Sequence, residues 1–225
     1  MSVKNLKIVS GQTGTVVAAP ETNVALAPPV TTDNPYYIHL QFTGDVGAEA
    51  YVNLADDVFN HSAHVVLPGQ TKTIGPYQAD TAPVGIKVVN NATNCTYAVD
   101  YTVIQSGGNE RAPALISKSV IAVDTSDDAE LYNDLRDYWD QFIYPEFSPS
   151  NTTCAVYVVL YAKAVTWISA LPTGATTLGA NSALICKSGE SLVLGPYKRE
   201  NMPTIYSPAF AGDGYYVSLD IVKRG

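Results

Sequence analysis

The chain has 225 residues, 46% of them hydrophobic and 15% charged, which is enough apolar matter for a core and too little charge for a disordered tail. Thirteen Lys and Arg stand against 21 Asp and Glu, and the net charge of −8 argues against nucleic acid as a direct partner. The longest apolar run, Ala155 to Ala162, is far shorter than the roughly 18–20 residues of a bilayer-spanning helix, so no membrane partner is expected.

The N-terminus, Met1 to Ile8, alternates polar and apolar residues without the apolar block of a secretory signal, which implies synthesis and assembly in the cytoplasm. A first strand is expected over Lys4 to Ser10. The stretch from Gly11 to Asn34, rich in Ala, Pro and Thr, reads as a long loop, with Thr15 to Ala18 as an optional extra strand. Its apolar residues Val16, Val17, Val24 and Leu26 are candidate contacts for a partner.

Short runs rich in Val, Ile, Thr and Tyr follow at Tyr36 to Thr43, Glu49 to Leu54, Ala63 to Leu67, Thr71 to Ile74, Val84 to Val89 and Tyr97 to Ile104, each bounded by turn residues. His61 and His64 stand beside Asp56 and Asp57, but on a strand they do not share a face. A solvated loop fits them better than a metal site. Gly75-Pro76-Tyr77 is expected to end a strand and turn a sandwich corner, because Gly takes positive φ and Pro cannot donate to a ladder. Pro68 and Gly69 before it suit the two central positions of a tight turn.

The polar stretch Gln105 to Arg111 reads as a linker, giving domains over residues 1–108 and 109–225. Within the second, Ser117 to Val123 opens another strand series that ends with Tyr215 to Val222. A helical insertion is expected at about 126–144: Ser126 is a good N-cap, an acidic first turn follows, and Leu131, Leu135, Tyr138 and Phe142 recur at helical spacing up to Pro145. Asp124, Asp127, Asp128 and Glu130 lack the loop spacing of a calcium site and fit an acidic helix start. Tyr138, Trp139, Phe142, Tyr144 and Phe147 form the densest aromatic cluster, either closing the helix onto its own sandwich or contacting a partner. Asn60, Asn91, Asn94 and Asn151 head Asn-x-Ser/Thr sequons that read as polar turns. Cys95, Cys154 and Cys186 read as reduced thiols, with a Cys154–Cys186 bridge as the alternative in an oxidising medium.

The two halves repeat each other. Gly69 to Tyr77 is matched by Gly189 to Tyr197, Pro83 by Pro203, and Tyr37 to Leu40 by Tyr157 to Leu160, all at one offset of 120 residues; Tyr97 to Val103 matches Tyr215 to Ile221 with a slip of two. Gly195-Pro196-Tyr197 is thus the second corner. The chain reads as all-β: two tandem antiparallel sandwiches of jelly-roll type, with one short amphipathic helix in the second.

No nucleophile elbow, phosphate-cradling glycine loop or dinucleotide fingerprint is present, so no enzyme and no cofactor are expected. The strand with its Pro68-Gly69-Gln70-Thr71 turn, the Gly75-Pro76-Tyr77 corner and the final alternating strand Tyr97 to Val103, all repeated in the second half, resemble the decoration or cement proteins of tailed-phage heads. The resemblance implies a non-enzymatic virion protein on the capsid surface that binds capsid protein at subunit junctions, and copies of itself, and so stiffens the shell. Two other readings fit the same residues. One is a main shell subunit made of two small jelly rolls. The other is a carbohydrate-binding module using Trp167 or Tyr36 as a stacking platform.

Overall fold

Residues 5–27, 29, 34–53, 61–105, 115–124, 131–143, 154–163, 167–176, 184–208 and 213–223 are described by a computed structural model, and most of them are strand. The first unit, Met1–Ser117, holds β1 (Asn5–Val16), β2 (Ala19–Ala25), β3 (Tyr36–Thr43), β4 (Glu49–Asn53), β5 (Val65–Val66), β6 (Thr71–Tyr77), β7 (Gly85–Asn91) and β8 (Cys95–Gln105). The second, Lys118–Arg224, holds β9 (Leu115–Asp124), β10 (Leu131–Asp134), α1 (Leu135–Tyr138), β11 (Cys154–Ala162), β12 (Trp167–Leu171), β13 (Ile185–Lys187), β14 (Ser191–Tyr197), β15 (Thr204–Ser207) and β16 (Asp213–Lys223). β9 belongs wholly to the second unit's front sheet, and the expected linker, Gln105 to Arg111, lies largely outside the described residues.

In the first unit the strands pair β1 with β8, β2 with β7, β3 with β6 and β4 with β5. That is one long ribbon of antiparallel pairs rolled over on itself, and it yields a front sheet ordered β1-β8-β3-β6 and a back sheet ordered β2-β7-β4-β5. This strand order is a jelly roll. The second unit repeats it strand for strand, with a front sheet β9-β16-β11-β14 and a back sheet β10-β15-β12-β13.

The duplication extends to register. Tyr36 opposes Tyr77 and Ile38 opposes Ile74, with one extra residue bulged between them; Val156 opposes Tyr197 and Val158 opposes Leu194 with the same bulge. Gly75-Pro76 and Gly195-Pro196 form that bulge, both with cis peptide bonds and both with the glycine at φ 114°. A Cβ on Gly75 would stand 2.9 Å from the Tyr36 carbonyl oxygen, and one on Gly195 2.8 Å from that of Val156. The Gly-Pro-Tyr element does end each strand, as expected, but through a bulge that keeps the strand paired up to its tyrosine, the last residue of β6 and of β14. It lies inside β6 and β14, both edge strands, where a proline leaves no ladder donor missing. The turns before it match as well: Gln70 N donates to Leu67 O at 3.0 Å, and Glu190 N to Lys187 O at 2.9 Å, with Gly69 and Gly189 at positive φ.

Side chains alternate as the pleat requires. In the first unit Tyr36, Ile38, Leu40 and Phe42 of β3, with Val99, Tyr101 and Val103 of β8, meet Ala50, Val52, Ile86 and Val88 of the back sheet in a single core. In the second, Val156, Val158 and Leu160, Val217, Leu219 and Ile221, and Ile168 and Ile205 are buried.

Two connections differ from the sequence expectation. Gly11 to Asn34 is no loop over its first half, because β1 runs through Gly11 to Val16 and β2 follows at once. The strand survives an apparent breaker because Gly11 sits at a bulge against β8, where a Cβ would come within 2.2 Å of the Val99 carbonyl oxygen. The helix is also shorter than expected. Leu131 to Asp134 is strand, the N-cap is Asp134 and not Ser126, and one α-turn passes into a π-turn over Trp139–Ile143. Residues 125–130, with Ser126, Asp127, Asp128 and Glu130, lie outside the described residues.

Candidate interaction surface

Among the described residues expected to meet a partner, Val16, Leu26 and Trp139 are buried. Val16 and Leu26 belong to the core of the first sandwich and Val24 packs against it; only Val17, 68% exposed, faces out. In the second unit Leu135 and Trp139 are buried, and Asn133 Nδ2 donates to the Tyr138 hydroxyl at 2.9 Å and to that of Tyr215 at 3.4 Å. The helical turn is thus closed onto its own sandwich. Nothing is described of the Phe142 side chain, and Tyr144 and Phe147 lie outside the described residues.

Two ion pairs pin this insertion. Arg136 grips the Asp134 carboxylate, Nε standing 3.0 Å from both oxygens and Nη2 2.5 Å from Oδ2. Arg199, in a 3-10 turn at Arg199–Asn201, donates Nε to Asp140 Oδ1 at 2.6 Å and closes the fork with Nη2 on Oδ2. The guanidinium bonds hold both carboxyls below the usual aspartate range.

The other chemical candidates are placed apart. His64 is buried beside Ser62, while the His61 ring meets Tyr51 edge-on at 4.6 Å. Among the described residues no group of three or more His, Cys, Asp or Glu is placed to hold a metal ion. Cys186 is a free, buried thiol donating to the Glu190 carbonyl at 3.1 Å, so it forms no bridge with Cys154, and burial pushes it above the ordinary thiol value. Cys95 is free and buried too. Tyr36 is wholly enclosed, its ring edge-on to Tyr101 at 5.5 Å, and cannot serve as a stacking platform.

What the first unit does present is the outer face of its front sheet. His39 hydrogen-bonds through Nδ1 to Thr73 at 2.8 Å and through Nε2 to Thr102 at 2.7 Å, and the Thr43 and Thr96 hydroxyls bond each other across the neighbouring strands. These cross-strand bonds lock a polar ladder on a rigid sheet. At its edge, β1 turns Leu6 and Ile8 out to solvent, 61% and 77% exposed, opposite Ile104 and Thr102. Strand alternation alone could not have found them, since it would assign Leu6 and Ile8 to the core. The register with β8 instead puts Val9 on the core side opposite Tyr101. The corresponding face in the second unit is covered, with Val159, Tyr161, Ser218 and Asp220 all buried.

Among the described residues no helix is long and apolar enough to cross a membrane. No family model matches the sequence, and no curated protein matches it. Among solved structures, the PBSX exported protein XepA aligns over 97% of this chain and 86% of its own at 10% identity and a TM-score of 0.28. A cupin 2 conserved barrel domain protein from Leptotrichia buccalis aligns over 100% and 92% at 11% identity and a TM-score of 0.24. Likeness at this level carries no functional argument, and the fold stands on the strand order above: the chain is an all-β protein of two tandem jelly-roll sandwiches.

Proposed function

We propose that the chain is a non-enzymatic structural protein of a virion shell, bound on the capsid surface at junctions between capsid subunits and to copies of itself. The observation that carries this reading is the first unit's front sheet, a rigid polar ladder whose open edge strand exposes Leu6 and Ile8 side by side. Exposed aliphatic residues on an edge strand invite association, which such proteins otherwise block with charge or cover. A modest contact of this kind becomes tight when a lattice presents many neighbouring sites. The charge of −8 keeps free copies apart before assembly and disfavours nucleic acid and anionic membranes as partners. The reading includes no turnover and no cofactor.

The doubled jelly roll favours a second reading, in which the chain is itself the main shell subunit. Quantitative mass spectrometry of intact particles, together with assembly trials on the purified chain, separates the two. Many copies per particle without self-assembly supports the surface-bound role, closed particles from the purified chain alone select the main subunit, and absence from particles overturns both.

A further inference from the structure

The edges of the first unit's sheets are not alike. β6 carries the Gly75-Pro76 bulge near its end, β2 contains Pro20 and Glu21, and β5 is only two residues long. Proline, charge and shortness are means by which an edge is kept from pairing with another chain. β1 has 12 residues, no proline, no acid and a single charge, Lys7. Its bulge at Gly11 leaves Asn5 to Ser10 in unbroken register with β8.

The backbone of that segment is turned to receive a further strand. Ile104 N donates to Pro35 O at 2.9 Å, so Ile104 spends its backbone groups on the β3 side. Opposite residues of an antiparallel pair either exchange both bonds or turn both sets of groups away from each other. Leu6, which opposes Ile104, therefore turns its N–H and C=O to the open edge, and at a period of two so do Ile8 and Ser10. Leu6 and Ile8 are also the exposed aliphatic side chains, so backbone bonding and exclusion of water fall on the same residues.

We infer that this edge docks antiparallel against the same edge of a second copy, about a twofold axis at Ile8, joining two front sheets into one. Ile8 then opposes its own counterpart and Leu6 opposes Ser10, each opposed pair exchanging both backbone bonds, while diagonal neighbours bring the Leu6 and Ile8 side chains of both copies together on one face. Charge and register select this arrangement. An axis at Lys7 would set like charges face to face, and one at Val9 would draw the Gly11 bulge into the ladder. The chain as a whole carries −8 and repels its copies, but β1 lacks acid, so that repulsion is least where the edges meet. A twofold contact occupies both edges and closes at the dimer. The inference rests on the proposed reading of this edge as a contact and names its occupant.

The test is sedimentation equilibrium of the purified full chain, without particles, over a concentration series. The expected result is a monomer–dimer equilibrium that reaches half dimer at or below about 100 μM. Ile8→Pro removes an N–H that β8 does not use, so the strand keeps its place and dimerisation should weaken by about tenfold or more, whereas Val46→Asp, in an exposed turn of the same unit, should leave it unchanged. Under mild oxidation Ile8→Cys should cross-link into dimers about tenfold faster than Leu6→Cys or the unmodified chain, whose Cys95 and Cys186 are buried. A chain still monomeric at about 100 μM, a dimer that survives Ile8→Pro, or equal cross-linking from positions 6 and 8 overturns the inference. A monomer that nonetheless pellets with stripped particles, and loses that pelleting in Ile8→Pro, also overturns it but leaves the shell reading standing, with the edge given to capsid protein.

Discussion

The two units share strand order, bulge and turn, yet they differ in what leaves the second strand. In the first unit β2 runs on to Ala25 and the chain reaches β3 at Tyr36; in the second, the shorter β10 gives way at Leu135 to a helical turn and the chain reaches β11 only at Cys154. Their outer faces have also diverged: the front sheet is open in the first unit and covered in the second, and at the centre of the back sheet the first unit has Lys87, paired with Glu21, where the second has Tyr206 between Tyr132 and Trp167. A duplicated jelly roll thus tolerates change on its outer faces and at one connection, while the rolled ribbon and its bulge stay fixed. The tolerant places are where contacts with partners can evolve.

The comparison can be broken first at the insertion. Leu135 is fully buried where the helix meets its sandwich, and Leu135→Ala should cost about 3–4 kcal/mol, read by urea denaturation as early loss of the second unit with the first unchanged. Next come the bulge glycines. Gly75→Ala and Gly195→Ala each force a side chain to positive φ and against a carbonyl oxygen, so each should cost about 2–3 kcal/mol, and by the same amount if the two bulges are equivalent.

A third effect separates the cores. Burial pushes both Tyr36 and Tyr101 up to about 12, whereas register puts Val156 and Leu219 at the matching places in the second unit. Because the folded value is raised, stability is fully present below pH 10, where both hydroxyls are neutral folded or unfolded, and is lost as pH rises through 12, by about 2 kcal/mol for each tyrosine. Among the described residues the buried Tyr36 hydroxyl makes no hydrogen bond, so Tyr36→Phe should raise stability at neutral pH by about 1 kcal/mol and flatten the alkaline limb of a stability–pH curve. The smallest effect is the Asp140–Arg199 pair. Its carboxyl is depressed, so its contribution is present above the ordinary aspartate value of 3.8 and fades as pH falls below it. Both partners are exposed, and Asp140→Asn should cost about 0.5 kcal/mol or less in thermal unfolding at pH 7.

Much of the fold is legible in the residues. Short Val-, Ile- and Tyr-rich runs mark the strands, and the shared 120-residue offset marks the doubling, because strand propensity and turn chemistry act locally. What misleads is context. Gly75-Pro76 does mark the end of its strand, but sequence does not show that the strand is an edge, where a bulge keeps the ladder paired up to Tyr77. Gly11 looks like a loop opener for the same reason. Leu131 fits a helical period as well as a strand, and only pairing with Ser207 decides it. The surfaces were least legible: Leu6 and Ile8 point outward only once the register with β8 is set, and the Tyr132–Tyr206–Trp167 row joins three strands far apart in sequence.

The most direct measurement of the shell role is co-sedimentation of the purified chain with particles stripped of it, set against the Leu6→Asp/Ile8→Asp double variant. Both positions are exposed, so the variant should fold as the parent does, by circular dichroism. The account predicts that the parent pellets with the particles and the variant stays in solution; equal pelleting of the two, or no pelleting of the parent, would contradict it.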